Sequence, residues 1–312
     1  MPPGGSAGAG SRAMLRPVAL YRLSEDPLPA LTAPAIVAAF DGWIDAAGAS
    51  TTAAARIAEG GRALATFDPD ALYDYRARRP ILDVVDGTLE DLAWPELALR
   101  CRRVGDRDVF VLTGPEPDFR WRELAADVLA LCLRLGVVGW ISLGSLPAAV
   151  PHTRPVPVLG TASRPGLLPD DVPQGPSGLL RVPSAALSAV EFAVAGSGIP
   201  TLGLYAQVPH YVGAAYPAAA IALLEHVGRH LGVAFETADL RRAAEATRER
   251  LDTAVAADED SRAYVARLEL VADEQERPAG EDLIAEIERF LRQRADGGGG
   301  EPPPPRPDAP GP

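Results

Sequence analysis

The chain has 312 residues, 47% hydrophobic and 23% charged, enough for one large domain or two small ones with a sizeable buried core. Acidic residues outnumber basic ones 42 to 30, and the net charge of −12 argues against nucleic acid as the main partner, which would need a basic face. All 30 basic residues are arginine, so neither a Schiff-base lysine nor a phosphate-loop lysine exists.

Residues 1–14 are Gly-, Pro-, Ala- and Ser-rich and are expected to form a disordered tail with no signal peptide. Arg16 to Arg22 reads as a first strand. Ala35–Phe40 (AIVAAF) is a continuous apolar run, as in a strand buried on both faces. Asp45 to Glu59 is Ala-rich and helical, with Asp45 placed to cap the helix. The segment between Leu64 and Arg103 is broken by Asp-Pro, Arg-Pro and Asp-Gly. It reads as an insertion with antiparallel strands, one of them at Trp94–Val104.

The strand–helix alternation then resumes. Val109–Leu112 reads as a strand, Trp121 to Leu135 as a helix, and Val137–Leu143 as a strand. Ala185–Ala195 reads as a helix, Pro200–Ala206 as a strand and Pro217–Leu231 as a helix. This order predicts an α/β domain over 15–235 with a mixed sheet and helices on both faces.

From 236 to 294 the chain carries 16 acidic and 10 basic residues. Leu240, Ala244, Thr247, Leu251 and Val255 recur at helical spacing, as do Tyr264, Leu268 and Val271, then Leu283, Ile287, Phe290 and Leu291. An acidic C-terminal helical region is expected over 236–295, and a disordered Gly/Pro tail over 296–312. No stretch of 18 apolar residues occurs, so no membrane span and a cytoplasmic location are expected. Cys101 and Cys132 form no CxxC pair and read as small buried apolar residues.

Polar residues collect after the expected strands, where open α/β sheets bind ligands. Asp41 and Trp43 follow the AIVAAF strand, and Glu116 and Arg120 follow Val109–Leu112. Val150-Pro151-His152-Thr153-Arg154-Pro155 holds three polar side chains on a Pro-stiffened segment. A second Val-Pro-His, ending at His210, follows Pro200–Ala206. Asp41, Trp43, Glu116, Arg120, His152, Thr153, Arg154 and His210 are therefore the candidate ligand-binding residues. Trp43 would stack on a planar group, Arg120 or Arg154 would pair an anion, and His152 would act as general base. The same residues read equally as salt-bridged corners and hydrogen-bonded structural histidines. Gly144-Ser145 lacks the G-x-S-x-G elbow, and His226/His230 lack HExxH, so no catalytic residue, metal site or cofactor is assigned.

Six segments carry a resemblance: IVAAFDGWIDAAGAST, FDPDALYDYRARRP, VFVLTGPEPDFRWRELA, ISLGSLPAAVPHTRPVPVLGTAS, GPSG and YAQVPHYV. Together they resemble the proteasome assembly chaperone 2 family in its actinobacterial branch, over about Pro17 to Arg294. The resemblance implies a three-layer α/β/α sandwich with a mixed, mostly parallel sheet of phosphorylase/hydrolase-like architecture, followed by a helical C-terminal region. It implies a non-enzymatic, chaperone-like interaction protein, with proteasome subunits as partners and a homo-oligomeric, trimeric state. The alternative is a small-molecule-binding protein or hydrolase/phosphorylase-like enzyme using the crevice at the strand ends. The end of the chain, Ala309-Pro310-Gly311-Pro312, has no hydrophobic–tyrosine docking motif. Partner contact is thus expected from the folded body or the acidic helices.

Overall fold

The computed structural model describes residues 19–24, 30–176 and 178–276. The tails expected over 1–14 and 296–312, the start of the first strand at Arg16, and the stripe Leu283 to Leu291 lie outside the described residues. Contacts divide the chain into two compact units, 1–252 and 253–312.

The first unit is built on an eight-stranded sheet. Its strands are β1 (Tyr21–Leu23), β2 (Ala35–Phe40), β3 (Arg62–Phe67), β6 (Ala98–Val104), β7 (Arg107–Gly114), β8 (Gly139–Ala148), β9 (Val158–Ala162) and β10 (Thr201–Pro209). A separate hairpin pairs β4 (Ile81–Val85) with β5 (Thr88–Ala93). The helices are α1 (Ala49–Ala58), α2 (Pro69–Leu72), α3 (Trp121–Leu135), α4 (Ala186–Gly196), α5 (Pro217–Leu231) and α6 (Ala238–Ala256). The second unit begins within the end of α6 and contains α7 (Glu259–Glu276).

The order across the large sheet is β1-β3-β6-β7-β2-β8-β10-β9. The central run β7-β2-β8-β10 is parallel. The flanking pairs β1–β3, β3–β6, β6–β7 and β10–β9 are antiparallel. Following these pairings outward, β3 runs with the central four, so five of the eight strands share a direction.

The buried strands explain the layering. In β2 all six residues are buried and alternate between two cores. Ile36, Ala38 and Phe40 join Phe110, Leu112 and Trp140 on one face, beneath Leu124, Val128 and Leu131 of α3 and Leu187 and Val190 of α4. Ala35, Val37 and Ala39 join Val109, Val111, Ile141 and Leu143 on the other, beneath Ala53 and Ile57 of α1 and Leu223 and Val227 of α5. A period of two on each strand thus feeds both cores, giving helix–sheet–helix layers. Leu240 and Leu251 of α6 pack on the second core, and Thr247 between them is buried, as their helical spacing requires.

Two sequence expectations are corrected. Strands β3 and β6 are not part of an insertion: they extend the main sheet through β7, and only the 81–93 hairpin stands apart. Strand β9 was not expected, because Pro155, Pro157, Gly160 and Pro165 mark its neighbourhood as turn-rich. Gly160 is there for packing: a Cβ would sit 2.3 Å from Leu168 Cδ2.

Candidate functional site

Parallel pairing brings the carboxyl ends of β7, β2, β8 and β10 to one edge of the sheet. The loop after β2 is locked first. The Asp41 backbone N–H donates to the Gly114 carbonyl at 3.2 Å, and Ser145 N–H donates to Ile44 O at 2.7 Å. Gly42 sits at φ +97°, a conformation closed to most side chains, with the Glu116 carboxylate 3.1 Å from where a Cβ would lie. Asp45 reaches over the 3-10 turn Ala46–Gly48 and accepts from Ser50 N–H at 2.8 Å and Thr51 N–H at 3.2 Å. It therefore caps α1, as the sequence predicts, from outside that helix's own boundary.

Asp41 and Glu116 come together, with an arginine that the sequence pattern does not single out. Asp41 Oδ1 accepts from Arg78 Nη1 at 3.0 Å and from Glu116 N–H at 2.9 Å. Arg78 Nε is buried without a hydrogen-bond acceptor, 3.8 Å from Asp118 Oδ1. Asp118 Oδ2 accepts from Asp74 N–H at 2.9 Å, and Tyr73 donates to the Pro115 carbonyl at 2.9 Å. Burial holds the Tyr73 phenol well above its ordinary pKa. Glu116 Oε1 in turn accepts from Ala186 N–H at 2.7 Å. Since Ala185 offers α4 no side-chain cap, Glu116 supplies one from 70 residues away.

The histidines form a second group. His152 is buried, its Nδ1 2.8 Å from the Tyr211 hydroxyl and its Nε2 3.1 Å from Asp252 Oδ1. The same hydroxyl accepts from the His152 backbone N–H at 2.9 Å. Arg248 closes the corner, with Nε 3.1 Å from Asp252 Oδ2 and Nη1 3.3 Å from the His152 carbonyl. His210 is exposed, stacks edge-on against Tyr211 at 5.5 Å and holds the Ala148 carbonyl with Nδ1 at 3.1 Å. The two Val-Pro-His segments thus meet on Tyr211.

The remaining candidates point elsewhere. Trp43 is 63% exposed. Arg120 adopts φ +57° at the start of α3 and pairs with Glu123 of that helix's first turn. Arg154 lines a cleft of about 530 Å³ between the 152–156 segment, α5 and α6, where Arg241 pairs with Glu225 at 2.6 Å. Thr153 lies beside it in the chain. The eight residues therefore do not form one pocket. The best-connected of them, Asp41, Glu116 and His152, are engaged in holding loops and helix ends. No group of three or more His, Cys, Asp or Glu able to hold a metal ion occurs among the described residues.

A family model described as the PAC2 family matches residues 39–255. The chain is similar to the Mycobacterium tuberculosis proteasome-assembly chaperone homologue, at 36% identity over 74% of this chain and 99% of that one, with a TM-score of 0.68. A PAC2 family protein from Streptomyces avermitilis matches at 33% identity over 74% of this chain and 99% of that one, with a TM-score of 0.67. A second M. tuberculosis protein, of unknown function, matches at 33% identity over 88% and 93%, with a TM-score of 0.75. None of the curated proteins matches the sequence.

Proposed function

The chain belongs to the PAC2 family, and we propose that it acts as a non-enzymatic, proteasome-assembly-chaperone-like interaction protein whose clients are proteasome subunits. The observation that carries this reading is the 36% identity to a proteasome-assembly chaperone homologue, spanning 99% of that protein. The crevice supports it as well. Asp41, Glu116 and His152 spend their polar atoms on Arg78, on the start of α4, and on Tyr211 and Asp252, as residues do when they position loops for contact. No helix among the described residues is long and apolar enough to cross a membrane.

In this reading the loops at the strand ends and the acidic helical region from 236 onward form the contact faces, and the chain works as a homo-oligomer. The test is pull-down of the purified full chain against free proteasome α and β subunits and half-assembled rings, with light scattering on the same sample. Retention of a subunit by an oligomeric chain is expected. Failure to retain any of the three overturns the client assignment, and a monomer in light scattering overturns the assembly state.

A further inference from the structure

A cleft of about 290 Å³ opens between α4 and the β9–β10 edge of the sheet, away from the strand-end loops. Thr161, Ser163, Ser188, Glu191, Phe192 and Tyr205 are among its lining residues. The sequence makes room for the tyrosine on both sides. A Cβ on Gly144 would lie 2.5 Å from Tyr205 Cδ1, and one on Gly203 would lie 2.8 Å from Cε2 and 3.0 Å from the hydroxyl. Glycine at both positions lets the ring lie flat against the sheet, so its hydroxyl reaches Glu191 and Thr161.

Glu191 is the anomaly. Burial raises its pKa, and the hydroxyls of Ser142 on β8 and Tyr205 on β10 only partly oppose this. Among the described residues no arginine or histidine lines the cleft, and no side chain of α3, the helix packed on α4, enters it. A carboxyl that ionises away from bulk water calls for a cationic partner, and Glu191, partly exposed, is open to one from the cleft. Here the walls supply hydroxyls, the tyrosine ring and, at the rim, the 83% exposed ring of Phe192. Carboxyl, hydroxyls and aromatic faces without a protein cation are the complement of an ammonium group.

We propose that this cleft binds an alkylammonium group, with Glu191 as its counter-ion and Tyr205 and Phe192 as its aromatic walls. The chain contains no lysine, so no lysine of a second copy can supply the group. The ammonium belongs either to a small amine or to a lysine side chain of another protein. This site is independent of the chaperone reading.

Titration calorimetry of the full chain with n-butylammonium chloride tests it, with n-butanol as the uncharged control and an acetylated, amidated lysine tripeptide as the second arm. The amine is expected to bind at least tenfold more tightly than the alcohol. Its affinity should fall as the pH drops through the carboxyl's titration, because the protonated acid offers the ammonium no charge. Glu191→Gln should lose at least tenfold. Ser188→Arg places a guanidinium one helical turn from Glu191 and should abolish binding while raising Tm, which guards against a variant that merely unfolds. Tighter binding of the tripeptide assigns the group to a protein lysine, and tighter binding of the free amine to a small molecule. Equal binding of amine and alcohol, or full affinity in both variants, overturns the proposal.

Discussion

Asp45 accepts hydrogen bonds from the backbone N–H and hydroxyl of both Ser50 and Thr51, and a longer one from the Ser145 hydroxyl. Asp45→Ala should therefore destabilise the fold by about 1–2 kcal/mol, the upper range for a lost helix cap, read as a lower urea midpoint with unchanged slope. The cap was legible because an acid stood just ahead of a helical run, and capping is a local event. Glu116 was not legible as a cap. Its partner is the first N–H of a helix 70 residues on, and only the tertiary fold sets that distance. Arg78 was missed for the same reason: three arginines at 76, 78 and 79 look alike in sequence, and only one meets Asp41. Cys132 followed its composition. It is fully buried, and burial pushes its thiol up to about 12. At pH 8 only about one thiol in ten thousand would be ionised. A maleimide or disulfide reagent should spare Cys132 in the native protein and label it in urea, whereas half-buried Cys101 should react slowly in the native protein and as fast as Cys132 in urea. Native labelling of Cys132 would contradict the buried α3 packing.

At the scale of elements, long apolar-periodic segments were the legible ones. α3 and α5 begin and end where their periodicity does, because each closes on a glycine in the left-handed region, Gly136 and Gly232. The β4–β5 hairpin was legible as an antiparallel insertion around Asp86-Gly87, but not as a solvent-facing arm, since its apolar residues have no core to meet. Every residue of both strands is exposed, including Ile81, Val85 and Leu89. Asp83, Asp86, Glu90 and Asp91 stand among them with no basic residue. Tyr75 and Trp94 meet edge-on at 4.7 Å at its base. Because a lone two-stranded hairpin contributes little stability, replacing 81–93 with a short Gly-Ser linker should leave Tm within a degree or two of the parent. The same deletion should change the oligomeric state or subunit retention if the arm carries a contact, and gel filtration beside the melting curve separates the two effects. A fall of more than about 5 °C would mean that the hairpin buries surface in the monomer.

For the whole molecule, charge is the property that sequence reports best and structure qualifies most. The excess of acid in the helical region suggests electrostatic steering of a partner, and Asp258, Glu259 and Asp260 form its densest acidic run. Asp258 is also a helix cap. Its carboxylate accepts from Ser261 N–H at 2.7 Å and its carbonyl from Arg262 N–H, at the start of α7. The Ser261 hydroxyl and backbone N–H hold its carboxyl below the usual aspartate range. Reversing it would damage the helix start and confuse any binding result. Glu259 and Asp260 are exposed and lie in the first turn of α7, outside that cap. Glu259→Arg with Asp260→Arg should keep the helix at a small cost from the helix dipole while replacing two negative charges with two positive ones. If the acidic region steers the encounter, the association rate with a retained subunit should fall by about tenfold at low salt. Its dependence on ionic strength should flatten as well, because screening would have less attraction to remove. Stopped-flow association at two salt concentrations, with circular dichroism as the control for helix content, measures both. An unchanged rate with an unchanged salt slope would move the contact to the strand-end loops of the first unit, where the charges of Asp41 and Glu116 are already committed to Arg78 and to α4.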